Sequence, residues 1–342
     1  MKRLIYLILA VGLIFYSVLP LTSCRGGEVR KSYYYEYFDT FTIISDYSGS
    51  GEKKFNENAA RVEKLIKEYH ELFDIYNEYE GINNLATVNS MAGKGPVKVD
   101  ERIISLLEYG KDMHKLTDGE INIAFGAVLK IWHDAREKGT SAPRYSELLS
   151  ASGHADINDI VIDKKEGTVE LLDSKMRIDV GALGKGYAVE MIAGSISEWG
   201  LSSWVVDIGG NIRVVGTKPN GDGWRTGVKN PTPTEDEPYI AYYELSNEAL
   251  VTSGNYERYY ELGGKRYHHI IDKDTLFPSE HCVSVTVKAP SSALADALST
   301  AIFNMEINEA RALVESLRGE VEALVVLKNG ERVELKYTES EK

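Results

Sequence analysis

A glycine-rich segment at residues 177–187, RIDVGALGKGY, constrains this chain more than any other part of its sequence. Three glycines fall within the six residues 181–186, with Asp179 before them and Lys185 among them. A backbone this poor in Cβ atoms can approach another group closely. If a helix follows, the turn also offers free N–H groups and the positive end of the helix dipole to an anion. The segment therefore predicts a nucleotide or phosphate contact, with an ordinary tight turn as the alternative.

The amino-terminal residues have the pattern of an export signal. Lys2 and Arg3 precede an apolar run over residues 4–19, and no acidic residue occurs before Glu28. The run leads into the sequence LTSC at residues 21–24, which resembles the lipobox of bacterial lipoproteins. The alternative is an amino-terminal transmembrane helix, because the run approaches the lower length limit of about 17 residues.

The lipoprotein interpretation divides the chain into a signal peptide, residues 1–23, and a mature domain, residues 24–342. Cys24 would carry the lipid, so we expect an extracytoplasmic protein anchored to the bacterial membrane. Cys282 is then the only other cysteine, and no disulfide is expected within the chain. The net charge of −13 argues against nucleic acid or anionic lipid as the main partner.

Periodicity predicts a mixture of helices and mostly antiparallel strands, that is, an α+β (mixed α/β) fold with two lobes. The predicted helices cover residues 52–73, 101–115, 124–137, 187–199, 291–305 and 308–317. The predicted strands cover residues 160–163, 168–172, 204–208, 212–216, 224–229, 239–245, 267–271 and 283–288, with a final hairpin at Asn329-Gly330.

The predicted helix after Pro290 carries oxygen-bearing side chains on one face. Asp296, Ser299 and Thr300 are three and four residues apart, so they stack on that face. A carboxylate, hydroxyls and nearby backbone carbonyls are ligands suited to Mg²⁺. The alternative is a helix without a metal site, in which Asp296 interacts with the helix dipole in the first turn and Thr300 is a packed β-branched residue.

Two adjacent histidines, His268 and His269, lie in a predicted strand that continues into Ile270 and Ile271. Neighbouring strand residues point to opposite faces, so only one histidine can face a given site. We select His269 as a proton carrier or an electrostatic partner of a phosphate. The alternative is a structural histidine that is hydrogen-bonded to the backbone.

Taken together, these segments resemble the ApbE family of extracytoplasmic lipoproteins, the FAD:protein FMN transferases. The matching segments occur in family order across nearly the whole mature chain. They are FDTFTI from Phe38, FDIYNEYEGINNLATVN from Phe73, DGEINIAFGAVLKIW from Asp118, RIDVGALGKGYAV from Arg177, VVDIGGNIRVVGTKP from Val205, VTSGNYERYY from Val251, YHHIIDKDTLFP from Tyr267 and ADALSTAIF from Ala295.

The resemblance implies a two-lobed fold of largely antiparallel sheets flanked by helices, and it implies a site. It assigns Mg²⁺ to the carbonyl of Ala182 and the side chains of Asp296 and Thr300, with Ser299 nearby. His269 matches the functionally important histidine. The implied FAD contacts are Phe38, Tyr76, Glu120, Ile121, Asn122, Asp179, Lys185 and Ile270.

The implied reaction is the Mg²⁺-dependent transfer of FMN from FAD to a threonine or serine hydroxyl of a target protein, with release of AMP. The implied target is a flavoprotein subunit of a membrane electron-transport complex. Two other functions use the same residues: an FAD pyrophosphatase that releases free FMN and AMP, and a flavin-binding lipoprotein without turnover.

Two positions depart from the family pattern. Leu276 stands where the family usually has glycine, so we expect the turn between Thr275 and Pro278 to be built differently or to be looser. Asn122 stands where the family commonly has aspartate, which changes an expected FAD contact from a carboxylate to an amide.

Overall fold

An eight-stranded antiparallel sheet lies at the centre of the computed structural model, which describes residues 29–338. The predicted signal peptide and Cys24 lie outside the described residues, as do the last four residues of the chain. No helix within residues 29–338 has the length and apolar character needed to cross a membrane.

Between residues 29 and 338 the chain forms fifteen β-strands. In chain order they are β1 (Arg30–Tyr34), β2 (Thr42–Asp46), β3 (Val97–Lys98), β4 (Ile160–Asp163), β5 (Thr168–Leu171), β6 (Trp204–Ile208), β7 (Asn211–Val215), β8 (Trp224–Lys229), β9 (Tyr239–Leu245), β10 (Ala249–Gly254), β11 (Tyr259–Leu262), β12 (Lys265–His268), β13 (Cys282–Ala289), β14 (Glu322–Leu327) and β15 (Arg332–Lys336). The main sheet has the order β1-β2-β6-β7-β10-β13-β14-β15, and every neighbouring pair is antiparallel.

The same part of the chain forms eight α-helices. They are α1 (Glu52–Phe73), α2 (Leu85–Ser90), α3 (Glu101–Leu116), α4 (Gly126–Lys138), α5 (Tyr145–Ser152), α6 (Gly184–Glu198), α7 (Ser292–Asn304) and α8 (Ile307–Ser316). The first helix illustrates why they form, since its buried residues recur every three or four positions and make one apolar face. It ends at Phe73, and the next residue, Asp74, has an extended backbone.

Helix α7 separates two parts of the hydrophobic core. Its small residues Ala293, Ala297 and Ala301, spaced by four, join the core that contains α1, α3 and α6. Leu298 and Ile302 on another face join the core formed with β13, β14 and α8. Because nearly all of α7 is buried, the polar side chains it carries lie inside the molecule.

The observed elements agree with the predicted α+β class, and several strand bounds are identical to the predicted ones. Three differences concern the site. Strand β10 is not among the predicted strands. Helix α6 begins at Gly184 rather than at Tyr187, so Lys185 belongs to its first turn. The strand predicted to run through Ile271 is wrong at its end, because β12 stops at His268 and His269 follows it in irregular backbone.

Candidate functional site

A pocket opens where α6, α7, β10 and several loops converge. Two helices supply one wall, with Lys185 from α6 and Asp296, Thr300 and Asn304 from α7. Further lining comes from the segment before α4, from α4 itself and from the backbone after β12. The pocket is therefore assembled from segments that are widely separated in sequence.

Most of the residues selected from the sequence line this pocket. Eleven do so: Tyr76, Glu120, Ile121, Asn122, Asp179, Ala182, Lys185, His269, Ile270, Asp296 and Thr300. Phe38 and Ser299 do not line it. Ser299 is fully buried, and its hydroxyl contacts the Ser253 hydroxyl at 2.8 Å and donates to the Asp296 carbonyl at 3.0 Å.

The first turn of α6 lies directly against α7. The backbone N–H of Gly186 donates to Oδ2 of Asp296 at 2.7 Å. A Cβ atom at position 186 would lie 2.3 Å from Cβ of Asp296 and 2.4 Å from the carbonyl oxygen of Ser292. Glycine is therefore required at this position so that the first turn of α6 can meet the carboxylate of α7.

Asp296 is a buried carboxylate that forms no salt bridge with any residue between 29 and 338, and only 3% of its surface is exposed. Burial raises its pKa, although Lys185 and the Gly186 N–H both act in the opposite direction. A buried anion without an ion pair is costly, so such a site favours binding of a cation.

The donor set around Asp296 consists of oxygen atoms. Thr300 lies one turn further along α7, with its hydroxyl 3.3 Å from the Ser253 hydroxyl, and Ala182 lines the same pocket. Carboxylate, hydroxyl and carbonyl oxygens fit Mg²⁺, which commonly takes one or two protein carboxylates together with water and phosphate oxygens. In the described part of the chain, no cluster of three or more His, Cys, Asp or Glu side chains is arranged to hold a metal.

Asp179 precedes the glycine turn and faces the same pocket. Its Oδ1 accepts a hydrogen bond of 2.8 Å from the N–H of Gly181. Burial raises the pKa of this carboxyl, while Gly181, Arg177 and His133 lower it to a smaller extent. A carboxylate held in this way can accept hydrogen bonds from N–H or O–H groups of a ligand.

His269 lines the pocket with its ring anchored through one nitrogen. Nδ1 lies 3.2 Å from the carbonyl oxygen of Arg258, so Nδ1 carries the proton and Nε2 has the free lone pair. Burial, followed by the charges of Arg258 and Lys185, lowers the pKa of His269 to about 3. The imidazole is therefore neutral near pH 7 and can accept a proton.

His268 is buried and takes no part in the pocket. Its Nε2 contacts the carbonyl of Ser279 at 2.9 Å, and its Nδ1 accepts the N–H of Ile270 at 3.3 Å. The choice of His269 over His268 from the sequence agrees with this placement. The strand-alternation argument behind that choice fails in part, because β12 ends between the two histidines.

The pocket lining contains four cationic side chains beside four carboxylates. The cations are Arg136, Lys185, Arg258 and Lys273. Lys185 has no salt-bridge partner among residues 29–338. The guanidinium of Arg258 contacts the carbonyl oxygens of Phe38 and Asp39, at 3.3 and 3.4 Å, and forms no salt bridge within the described part of the chain. Cations without carboxylate partners are suited to the charges of a diphosphate.

Aromatic groups flank the pocket mouth. Tyr76 is 48% exposed and stacks on His133, with ring centroids 4.5 Å apart and planes 27° apart. Phe38 sits in a turn with φ of 54° and packs edge-on against His70 with centroids 5.5 Å apart. The Tyr76 and His133 pair offers a flat surface on which a heterocycle could stack.

Several pocket residues were not selected from the sequence. The missed residues include Thr40, His133, Arg136, Asn211, Arg258, Lys273 and Asn304. A signal existed for α4, where Leu129, Trp132, His133 and Arg136 have the spacing i, i+3, i+4 and i+7 of one helix face. For Arg258 and Thr40, proximity to the pocket depends on tertiary contacts.

Both departures from the family pattern have a local structural role. Asn122 donates to the carbonyl of Ala155 at 2.9 Å, which a carboxylate cannot do, and accepts the N–H of Ala124 at 2.9 Å. Leu276 adopts φ of 64°, the left-handed conformation that glycine favours, with its side chain buried. Its carbonyl accepts the indole N–H of Trp132 at 2.9 Å. The turn therefore has the left-handed backbone that glycine favours, and these contacts hold it.

Comparison with known proteins gives consistent matches. The model of the ApbE family matches residues 38–325. An FAD:protein FMN transferase of Haemophilus influenzae is 27% identical over 96% of this chain and 95% of its own length. An FAD:protein FMN transferase of Treponema pallidum is 35% identical over 71% of this chain and 70% of its own length.

Solved structures match the fold as well. The ApbE protein of Thermotoga maritima superposes with a TM-score of 0.79 at 28% identity, covering 90% of this chain and 96% of that protein. The flavin transferase ApbE of Vibrio cholerae superposes with a TM-score of 0.75 over 92% of this chain and 98% of that protein. At 22% identity, the second match supports the fold alone.

Proposed function

This chain belongs to the ApbE family, and we propose that it is an FAD:protein FMN transferase. The reaction would break the diphosphate of FAD between the FMN phosphorus and the bridging oxygen. It would join the FMN phosphate to a threonine or serine hydroxyl of an acceptor protein, and AMP would leave. Curated relatives with this activity in their names, including one at 35% identity, support the assignment.

The observation that carries the proposal is the convergence of five polar groups in one pocket. Asp179, Lys185, His269, Asp296 and Thr300 come from distant segments and line the same cavity. Transfer of a phosphoryl group requires fixed phosphates, neutralisation of developing charge and an oriented nucleophile. Lys185 and Arg258 could fix the phosphates and neutralise the developing charge, since both line the pocket and neither forms a salt bridge within residues 29–338.

The metal would be Mg²⁺, held by the side chains of Asp296 and Thr300 and the carbonyl of Ala182. This assignment is supported by the buried, unpaired carboxylate and by a donor set made of oxygens. When bound, the ion would supply positive charge to the diphosphate oxygens. Gly186 fixes the position of Asp296 through the 2.7 Å hydrogen bond from its N–H.

His269 would act as the general base. The geometry supports this role, because the Arg258 carbonyl orients the ring through Nδ1 and leaves the lone pair of Nε2 free. Nε2 would take the proton of the acceptor hydroxyl while the hydroxyl oxygen forms a bond to the FMN phosphorus. The bond from that phosphorus to the bridging oxygen would break, and the electron pair would leave with AMP.

The acceptor would be a flavoprotein subunit of a membrane electron-transport complex. A lipid on Cys24 would keep the enzyme at the outer face of the bacterial membrane, where such subunits are accessible. The sequence LTSC at residues 21–24 supports this proposal.

The test is incubation of the purified protein with FAD, Mg²⁺ and a candidate acceptor subunit. We expect a fluorescent acceptor band on a denaturing gel together with an equal amount of AMP. Release of AMP without that band would identify an FAD pyrophosphatase instead, and FAD binding without AMP would identify a flavin-binding protein.

A matched pair of variants links the activity to the site. Asp296→Ala is expected to lower transfer at least about 100-fold, because Mg²⁺ would lose the carboxylate that holds it next to the reacting phosphates. The control Asp112→Ala changes an acid whose side chain is 69% exposed and should leave transfer unchanged. Equal rates for Asp296→Ala and the parental protein would exclude the assigned metal site.

A further inference from the structure

Outside the pocket, the side chains of His70, Asp74 and Tyr79 form a hydrogen-bonded chain next to its mouth. Nδ1 of His70 lies 3.2 Å from the backbone nitrogen of Phe38. Its Nε2 lies 3.3 Å from the hydroxyl of Tyr79, and that hydroxyl lies 2.9 Å from Oδ2 of Asp74. All three side chains are partly buried.

The chemistry of the two ends fixes the direction of every hydrogen bond. The Phe38 N–H can only donate, so Nδ1 of His70 accepts. A neutral imidazole then carries its proton on Nε2 and donates it to the Tyr79 oxygen. The Tyr79 hydroxyl donates to the Asp74 carboxylate, which accepts. The three side chains thus connect a carboxylate to a backbone N–H that lies 36 positions before it in sequence.

At one end of the hydrogen-bonded series, the Phe38 N–H belongs to a turn whose backbone angles are unfavourable. Phe38 and Asp39 adopt φ values of 54° and 49°, which are unfavourable for residues other than glycine. Their carbonyl oxygens are the two groups that Arg258 contacts, and Arg258 lines the pocket. The next residue, Thr40, lines the pocket as well. Displacement of this turn would therefore move Arg258 and Thr40.

The Asp74 end organises the other side of the pocket mouth. Its Oδ1 accepts the backbone N–H groups of Tyr76 and Asn77, at 2.7 and 3.0 Å. Burial raises the pKa of Asp74, but the hydrogen bonds from Asn77, Tyr76 and Tyr79 outweigh it and keep the pKa below its ordinary value. One ionised carboxylate therefore holds the backbone of Tyr76 directly and the backbone of Phe38 through two side chains.

We propose that Asp74, Tyr79 and His70 form a positioning relay that sets the distance between the Phe38 turn and Tyr76, and thereby the affinity of the site for FAD. The inference depends on the proposed function, because FAD is the ligand whose affinity is affected. None of the three residues lines the pocket, so each acts through the residues it holds.

The first test measures the relay without any ligand. Tyr79→Phe removes the hydroxyl that joins His70 to Asp74 and keeps the ring. The control is Tyr37→Phe, which also removes a hydroxyl bonded to a carboxylate, that of Glu63 at 3.4 Å, immediately before the turn. We expect amide hydrogen exchange at residues 38–40 to be about five-fold faster in Tyr79→Phe and unchanged in Tyr37→Phe.

The second test distinguishes the two ends of His70. His70→Asn keeps an acceptor near the position of Nδ1, whereas His70→Gln keeps a donor near the position of Nε2 and loses the acceptor for Phe38. We expect FAD affinity, measured by titration of flavin fluorescence, to fall about ten-fold in His70→Gln and about three-fold in His70→Asn. In the transfer assay the change should appear in KM for FAD, with kcat within about two-fold of the parental value.

The outcomes separate the relay from the proposed function. Faster exchange in Tyr79→Phe, together with parental FAD affinity in Tyr79→Phe, His70→Asn and His70→Gln, would overturn the relay. The proposed transferase function would be unaffected by that result. Unchanged exchange in Tyr79→Phe would overturn it as well. Parental protein that binds FAD without transferring it would overturn the proposed function, while the affinity and exchange measurements would still decide the relay.

Discussion

At the scale of single residues, the site contains groups that are unfavourable for folding and useful for chemistry. Asp296 is a carboxylate buried without an ion pair in the described part of the chain, and its pKa is raised by burial. Because the pKa of this carboxyl is higher in the folded state than in the unfolded chain, its ionisation costs more in the folded state. Ionisation at neutral pH therefore reduces the free energy of unfolding. Binding of a cation would recover that loss.

The first prediction concerns this cost. Asp296→Asn should increase the free energy of unfolding by about 1 kcal/mol at pH 7 without metal, because the amide can still accept the Gly186 N–H but carries no charge. The same variant should be inactive in transfer. Thermal unfolding in the presence of a chelator measures the first effect, and Asp112→Asn on the surface serves as the control. A less stable Asp296→Asn protein would contradict the argument.

The second prediction concerns Leu276, a buried residue with φ of 64°. Leu276→Ala loses the packing of the side chain and keeps the unfavourable backbone, while Leu276→Gly loses the packing and relieves the backbone. We therefore expect both to be destabilised, with the glycine variant the more stable of the two by about 1 kcal/mol. Chemical denaturation measures the difference. Glycine less stable than alanine would show that the left-handed backbone carries no strain.

At the scale of secondary structure elements, the contact between α6 and α7 positions the site. The first turn of α6 provides Lys185 and the N–H of Gly186, and α7 provides Asp296 and Thr300. The two helices can approach this closely because position 186 has no Cβ atom. A change in their separation therefore alters the site and the core together.

The third prediction uses two glycines of α6. Gly186→Ala places a Cβ atom 2.3 Å from that of Asp296 and should cost about 2 kcal/mol with a large loss of transfer. Gly194→Ala is the matched control, because no atom lies within 4 Å of its added Cβ. It should stabilise the protein by about 0.5–1 kcal/mol, since alanine favours helix. Similar effects of both changes would exclude a tight contact at residue 186.

At the scale of the whole molecule, the pocket depends on the global fold, because its residues extend from Thr40 to Asn304. Protonation of a site residue therefore affects the unfolding equilibrium of the entire domain. His269 is the clearest case, since burial and the charges of Arg258 and Lys185 lower its pKa to about 3. In an unfolded chain the same imidazole titrates near 6.5.

The fourth prediction gives the sign of this effect. Between pH 6.5 and 3 the unfolded state binds more protons at His269 than the folded state, so stability is lost as the pH falls through this range. His269→Gln removes the difference, and its stability should decrease by about 2 kcal/mol less than that of the parental protein between pH 7 and 5. Denaturation midpoints at both pH values measure this. An NMR titration that protonates His269 above pH 5 would contradict it.

Much of the fold follows from patterns within short segments. The bounds of α1 agree with its apolar periodicity, and β6, β8 and β9 coincide with the predicted strands. The prediction fails where tertiary contacts override local preference. Leu276 takes a glycine conformation because its buried side chain and the hydrogen bond from Trp132 hold it there. The strand ending in YHH stops at His268, whose two ring nitrogens are both engaged by the backbone.

The sequence by itself determined many of the elements, the glycine turn and eleven of the residues that line the pocket, because spacing and motif resemblance require only local information. Only the tertiary structure decided that Ser299 faces Ser253 rather than the pocket, and that Arg258, Thr40 and His133 belong to the site. It also decided the hydrogen-bonded chain from Asp74 to Phe38. Burial, charge and hydrogen-bond direction depend on neighbours that are distant along the chain, and folding alone brings those neighbours together.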